Sequence, residues 1–257
     1  MIELKDQMNR TIRLAETPKR IVSLVPSQTE FLAYLGCDEE VVGITKFCIH
    51  PNDWFRSKMR VGGTKKVDFK KIEALNPDLI IANKEENSQA DIERLAKKYT
   101  VYISDIFHPT DAFEMMQDLG VLLNKTEQVN KLVTHLKEDL LSLPKMTGSV
   151  LYFIWKNPYM VAGKNTYINS ILASLGLENA LKDEAGRYPA ITLEEMVKIN
   201  PTHIFLSSEP YPFNEADIAF LTDTVGAKVQ VVDGEIFSWY GSRMLAMKAY
   251  FQKLVSL

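Results

Sequence analysis

Two cysteines, Cys37 and Cys48, are all that the 257 residues contain, too few for a disulfide framework, so both are expected to be free thiols. Histidine is almost as scarce. His50, His108, His135 and His203 lie far apart, no His-Glu-x-x-His is present, and Cys48 with His50 offers only two ligands, so no metal centre is expected. The chain also lacks the Gly-x-Ser-x-Gly elbow, the Gly-x-Gly-x-x-Gly dinucleotide turn and the phosphate-binding Gly-x-x-x-x-Gly-Lys-Ser/Thr loop. These gaps argue against the common hydrolase, oxidoreductase and nucleotide-hydrolysing chemistries. Gly62-Gly-Thr-Lys-Lys66 is too short a glycine loop to cradle phosphate and reads as a turn that lets backbone approach a cleft. No apolar run reaches the roughly 18 residues of a membrane span. A net charge of −3 without any Lys/Arg tract leaves nothing to attract nucleic acid. The first twenty residues carry Lys5, Asp6, Arg10, Arg13, Glu16, Lys19 and Arg20, with no apolar stretch of the secretory-signal type, so cytoplasmic residence and a trimmed signal both stay open.

What is present is an alternation of short apolar runs with amphipathic segments, the pattern of an α/β protein long enough for two lobes. Thr11–Leu14 and Ile21–Val25 read as strands, Glu40–Thr45 as another, Phe69–Leu75 as a short helix and Leu79–Ala82 as a buried strand. Ser27-Gln-Thr-Glu30 has capping-box spacing and predicts a helix start at Ser27. The segment Ile72–Glu85 aligns without gaps on Met196–Glu209, and Phe31–Gly36 echoes Ile171–Gly176 in the same order, which predicts two related lobes. Between them Val129, Leu132, Val133, Leu136, Leu140 and Leu143 keep a helical period. The expected architecture is two Rossmann-like α/β lobes, residues 1–124 and 144–257, joined by one long helix over 125–143, with a ligand cleft between them. At 1.5 Å per residue the helical run Thr126–Leu143 is about 27 Å long, a stiff connector that predicts small lobe motion.

Aromatic residues cluster in loops and at strand ends: Phe47, Trp54, Phe55, Trp155, Tyr159, Tyr188, Tyr211, Phe213, Trp239 and Tyr240. Such positions suit the wall of a pocket for a flat ligand. In open α/β sheets ligands bind beyond the carboxyl ends of the strands, where Ser27, Phe47, Thr64, Asn83, Lys84, Trp155, Tyr188 and Trp239 are expected. Cys48 with His50 is the one arrangement that suggests nucleophilic catalysis, but it lacks a third orienting group.

The runs Pro18-Lys-Arg-Ile-Val-Ser-Leu-Val-Pro-Ser-Gln-Thr-Glu30, Val42-Gly-Ile-Thr-Lys-Phe-Cys-Ile-His-Pro51, Val61-Gly-Gly-Thr64, Asn76-Pro-Asp-Leu-Ile-Ile81 and Asn200-Pro201 occur in an order that resembles one family: the helical-backbone, class III substrate-binding proteins of ABC importers for vitamin B12, haem and iron-siderophores. The resemblance is strongest to its cobalamin-binding branch, whose members carry aromatics where Phe47 and Tyr188 stand and a tryptophan where this chain has Thr64. It implies a monomeric binding protein and no enzyme, one that captures a corrinoid, haem or iron-chelate without an intrinsic cofactor, in a periplasmic or lipid-anchored setting. The expected ligand contacts are Phe47, His50, Thr64, Lys84, Trp155, Tyr159, Tyr188, Trp239 and Arg243. Family members dock on an ABC permease through one acid per lobe; Glu194 fits the second position, whereas Lys70 occupies the first. Two alternatives remain beside this reading: a cytoplasmic carrier or sensor of a similar ligand, and a Cys48-dependent enzyme.

Overall fold

The computed structural model describes residues 1–181 and 186–256. It divides into two compact units: Met1–Asp105 with Thr110–Leu136 and Tyr240–Met244, and Ile106–Pro109 with Lys137–Trp239 and Leu245–Leu257.

The first unit opens with an antiparallel hairpin, β1 (Ile2–Lys5) and β2 (Thr11–Leu14), of which only the second strand was apparent from apolar patterning. Its turn is held by the buried Asp6 carboxylate, which accepts from the amides of Met8, Arg10 and Ile103 and from the Arg10 guanidinium at 2.6 Å. The chain continues through β3 (Ile21–Ser23), α1 (Pro26–Tyr34), β4 (Val41–Ile44), α2 (Asn52–Ser57), β5 (Met59–Arg60), α3 (Phe69–Leu75), β6 (Leu79–Asn83), α4 (Gln89–Ala96), β7 (Val101–Ser104), α5 (Pro109–Leu122) and α6 (Thr126–Leu141). The sheet order is β5-β4-β3-β6-β7, all parallel, so strand order reverses between β3 and β6. Val22, Leu24, Ile72, Ile80 and Ile92 form its apolar cluster.

Two sequence expectations change here. The capping box at Ser27 does not form: Pro26 takes the first helical position behind an extended Val25, because proline lacks the amide that a cap would serve and its fixed φ suits a helix start. Glu30 is thereby left for an ion pair with Arg243 at 2.7 Å. The helix after Asn124 ends at Leu141, one turn's fraction earlier than its apolar period suggested, and buries Val129, Leu132, Val133 and Leu136; the boundary between the units falls within it.

The second unit contains β8 (Ser149–Trp155), β9 (Met160–Val161), α7 (Tyr167–Ser174), β10 (Glu178–Asn179), α8 (Leu193–Ile199), β11 (His203–Ser207), α9 (Glu215–Val225), β12 (Lys228–Val232), α10 (Gly234–Ser238) and α11 (Met247–Val255). Its parallel order is β10-β8-β11-β12, with β9 antiparallel on β8. Leu151, Phe153, Met196, Ile204, Leu206 and Leu221 belong to its core. The internal repeat is therefore a repeat of topology. β3-α1-β4 and β8-α7-β10 each step to one side, after which α3-β6 and α8-β11 return to the other. Asn76 and Asn200 end the equivalent helices in the left-handed conformation, φ 43° and 51°, one residue before Pro77 and Pro201. Right-handed α geometry is disfavoured before proline, and asparagine tolerates the left-handed alternative.

Candidate functional site

Because all five strands of the first unit's main sheet are parallel, the loops that follow β3, β4, β5 and β6 gather along one edge of it. The β4 loop turns on Cys48, whose buried sulfur lies 3.1 Å from the hydroxyls of both Thr29 and Thr45, while Thr45 Oγ1 accepts the Phe47 amide. Anchoring Cys48 inward sends Phe47 outward, half exposed at 50%. The β5 loop folds back as a tight turn: the Gly63 amide donates to Lys66 O at 2.8 Å and the Asp68 amide to Val61 O at 2.7 Å. Gly62 has φ +106°, and a Cβ there would lie 2.7 Å from Lys66 O, so only glycine fits. A Cβ on Gly63 would press within 3.2 Å of the Phe47 ring; its absence lets ring and turn pack. Asn87 ties the loops together, donating to Thr64 O at 3.1 Å and Leu24 O at 3.2 Å.

These loops enclose an open cavity of about 890 Å³ whose wall includes Phe47, Thr64, Lys46, Lys66, Phe69 and Arg94. That volume is in the range of small-molecule sites. Of the residues expected at the ligand, Phe47 and Thr64 are brought together here. Lys84 lines a separate cavity of about 450 Å³ over Ile92 and Ile103, with its ammonium 2.5 Å from Asp105. His50 is partly buried in the β4–α2 loop and lines neither cavity. Arg243 is engaged by both oxygens of Glu30, at 3.0 and 2.7 Å. Lys46, Lys66, Phe69 and Arg94 were not recognised as site residues; the lysines beside Gly62-Gly63 were the available signal, but Arg94 comes to the wall from a distant helix.

In the second unit Trp155 ends β8 with 41% of its surface exposed and meets Tyr211 edge-on at 5.6 Å. Tyr211 continues into Phe213 at 4.7 Å, and Tyr159 stands edge-on to Phe153 at 5.6 Å. Desolvation raises the Tyr159 phenol pKa, so it stays a neutral hydrogen-bonding group. Tyr188 lies on the segment 187–190, hydrogen-bonded along β9 through Arg187 O and Pro189 O. Gly163 permits that approach, since a Cβ there would clash with Gly186 O at 2.0 Å. Trp239 is only 8% exposed. Glu194 projects into solvent in the first turn of α8, beside a formed capping box of Thr192 and Glu195. In the repeat alignment its counterpart is Lys70, likewise exposed in the first turn of α3.

The family model for periplasmic binding proteins matches residues 21–228, most of both units. The chain belongs to that family. It is 27% identical over 216 residues, 79% of its length and 68% of the relative's, to an uncharacterized ABC transporter substrate-binding lipoprotein of Bacillus subtilis. It is 24% identical to the vitamin B12-binding protein of Pectobacterium carotovorum over 89% of this chain and 85% of that one. Among solved structures it superposes on the petrobactin-binding protein YclQ of Bacillus subtilis with TM-score 0.81 at 17% identity, covering 98% and 97% of the two chains. A periplasmic binding protein of this kind is not an enzyme. The Cys48 thiol agrees with that assignment: burial pushes its pKa up, and the hydrogen bonds from Thr29 and Thr45 only partly oppose the shift, so it is not the thiolate a nucleophile requires.

Proposed function

We propose that this protein captures a corrinoid, haem or iron-chelate and delivers it to an ABC permease, and that the loops at the carboxyl ends of the parallel strands of the first unit contact the ligand. The observation that carries the reading is the outward Phe47 on the wall of a ligand-sized cavity, in a chain matched by the periplasmic-binding-protein model over residues 21–228. Phe47 and Thr64 form the wall in the first unit; Trp155, Tyr159 and Tyr188 offer aromatic faces in the second. Trp155, being exposed, is the natural reporter. Titration of the purified chain with cyanocobalamin, hemin and a ferric siderophore should quench tryptophan fluorescence with at least one of them at micromolar concentration. Phe47→Ala should weaken that ligand about tenfold, the worth of one aromatic contact of roughly 1.4 kcal/mol. Absence of quenching by all three would sink the proposal. We take the protein to act outside the cytoplasm, where its lipoprotein and periplasmic relatives are named, and to be a monomer. A second reading, a carrier or sensor that does not dock on a permease, is favoured by Lys70 where the family resemblance calls for an acid. Cell fractionation with mass spectrometry of the native N-terminus separates the two.

A further inference from the structure

The proposed ligands differ sharply in charge, and the cavity of the first unit is not neutral. Its wall carries Lys46, Lys66, Lys70 and Arg94 against one carboxylate, Asp68. Among the described residues none of these four cations has a carboxylate within ion-pair distance. Lys46 instead lies over the Phe47 ring at 4.9 Å and Arg94 over Phe69 at 3.9 Å, so two aromatic faces are each backed by a cation. Asp68 is already committed, capping α3 through the Lys71 amide at 3.2 Å and lying 3.9 Å from the Lys71 ammonium. Lys65 also reaches the wall and donates to the backbone carbonyl of Glu85, which leaves its charge uncompensated and adds to the surplus. A surplus of positive charge held in one concavity is unexpected in a chain of net charge −3, and like charges gathered without counter-ions repel one another.

We infer that the natural ligand is anionic: a planar or catechol-type iron chelate or a haem-like dicarboxylate, whose acidic groups meet Lys46 and Lys66 while its aromatic part lies against Phe47, in preference to a corrinoid without net charge. This inference rests on the binding role proposed above and narrows it. Cations behind aromatic rings favour a flat, electron-rich anion on two counts: they attract its charge directly, and they occupy the face opposite the one left for stacking. Because the cations are exposed, the attraction is screened by salt, which supplies a signature that simple apolar stacking would not show.

The test compares hemin, ferric petrobactin and cyanocobalamin on the intact chain at low and high ionic strength, in the parent, in a Lys46→Glu/Lys66→Glu variant and in a Lys228→Glu/Lys253→Glu control of equal charge change. Circular dichroism and thermal melting confirm that each variant is folded. The expected result is that an anionic probe binds at least tenfold more tightly than cyanocobalamin, loses tenfold or more between 50 mM and 500 mM salt, and loses tenfold or more in the Lys46/Lys66 variant only. Tighter binding of cyanocobalamin, or anionic binding indifferent to the Lys46/Lys66 reversal, overturns the inference while leaving the binding role intact. Equal loss in the control variant also overturns it, since overall charge would then explain the effect. Binding of none of the three overturns the role and the inference together.

Discussion

The helix-strand pairs α3-β6 and α8-β11 are two versions of one design, and they agree where backbone is decided and diverge where water is met. Ile80 and Ile204 are both fully buried, Asn76 and Asn200 both left-handed, and Pro77 and Pro201 both follow. At the rim the pairs part: α3 carries Lys70 and Lys71 and no acid in its first turn, whereas α8 carries Glu194 and Glu195 there. The loops diverge further, with lysines around Phe47 in one unit and the Trp155, Tyr211 and Phe213 rings in the other. Positions that set the fold are constrained by packing and dihedral geometry, which both units share. Positions at the rim answer only to what each unit must touch.

The largest effect that probes this likeness is in the core. Ile80→Ala and Ile204→Ala each remove side-chain atoms from a fully buried central strand and should each cost about 2–5 kcal/mol in urea unfolding. Equivalent sites should give similar losses. A difference greater than about 2 kcal/mol would show that the two cores are not packed alike, despite their common topology.

Much of that likeness was legible beforehand because it rests on local rules. Apolar runs marked Ile21 and Leu79 as strand beginnings, Asn-Pro marked two helix ends, and the gapless alignment of Ile72–Glu85 on Met196–Glu209 marked the repeat. Ser27 misled because a capping box and Pro26 compete for one helix start, and proline wins by geometry. The strand Ile2–Lys5 alternates with charged residues and is stabilised by its partner β2 and by Asp6, a tertiary anchor with no sequence signature. The shared place of Phe47 and Thr64 on the cavity wall was readable from their positions after strands. Arg94 was not, because its approach to Phe69 depends on how α4 packs. Lys84 and Arg243, both expected at the ligand, are ion-paired to Asp105 and Glu30, and ion pairing across elements cannot be read from spacing alone.

A second, smaller contrast concerns buried hydroxyls. Tyr102 in β7 donates to the Asp118 carboxylate at 2.9 Å, while Tyr152 in β8 is within 3.3 Å of the Ser207 hydroxyl. Only the first pair can titrate near neutrality. Burial pushes Asp118 up to about 6, with Glu114 and Asp6 adding to the shift and the Tyr102 hydrogen bond opposing it. A carboxyl whose folded pKa lies above its unfolded value binds its proton more tightly when folded. Its contribution is therefore most favourable below about pH 4, declines as pH rises to about 6, and is constant and unfavourable above that. Asp118→Asn keeps an acceptor for Tyr102 without the charge. It should stabilise the protein by about 1–2 kcal/mol at pH 7.5, after allowance for its partial exposure, and by nothing at pH 4. Melting curves across that range check it, and a stabilisation of equal size at both pH values would refute the titration. Tyr152→Phe, in contrast, should cost about 1 kcal/mol with no pH dependence over the same interval.

The smallest effect on stability is expected at the rim, where the two units differ most. Lys70 and Glu194 occupy the same place in repeated helices, both exposed, so Lys70→Glu and Glu194→Lys should each move stability by less than about 0.5 kcal/mol. If the permease presents arginines to both positions, as the family resemblance implies, the two exchanges act in opposite directions on docking. Glu194→Lys replaces an attraction by a repulsion and should weaken association with the host's permease in lipid nanodiscs by tenfold or more. Lys70→Glu removes a repulsion and should strengthen it, with both effects shrinking in high salt. Opposite shifts would show that the first unit has lost a docking acid that its fold can still accommodate. If Lys70→Glu weakens docking instead, the partner carries acid opposite α3, and the charge reversal between the units is itself the signal that orients this protein on its transporter.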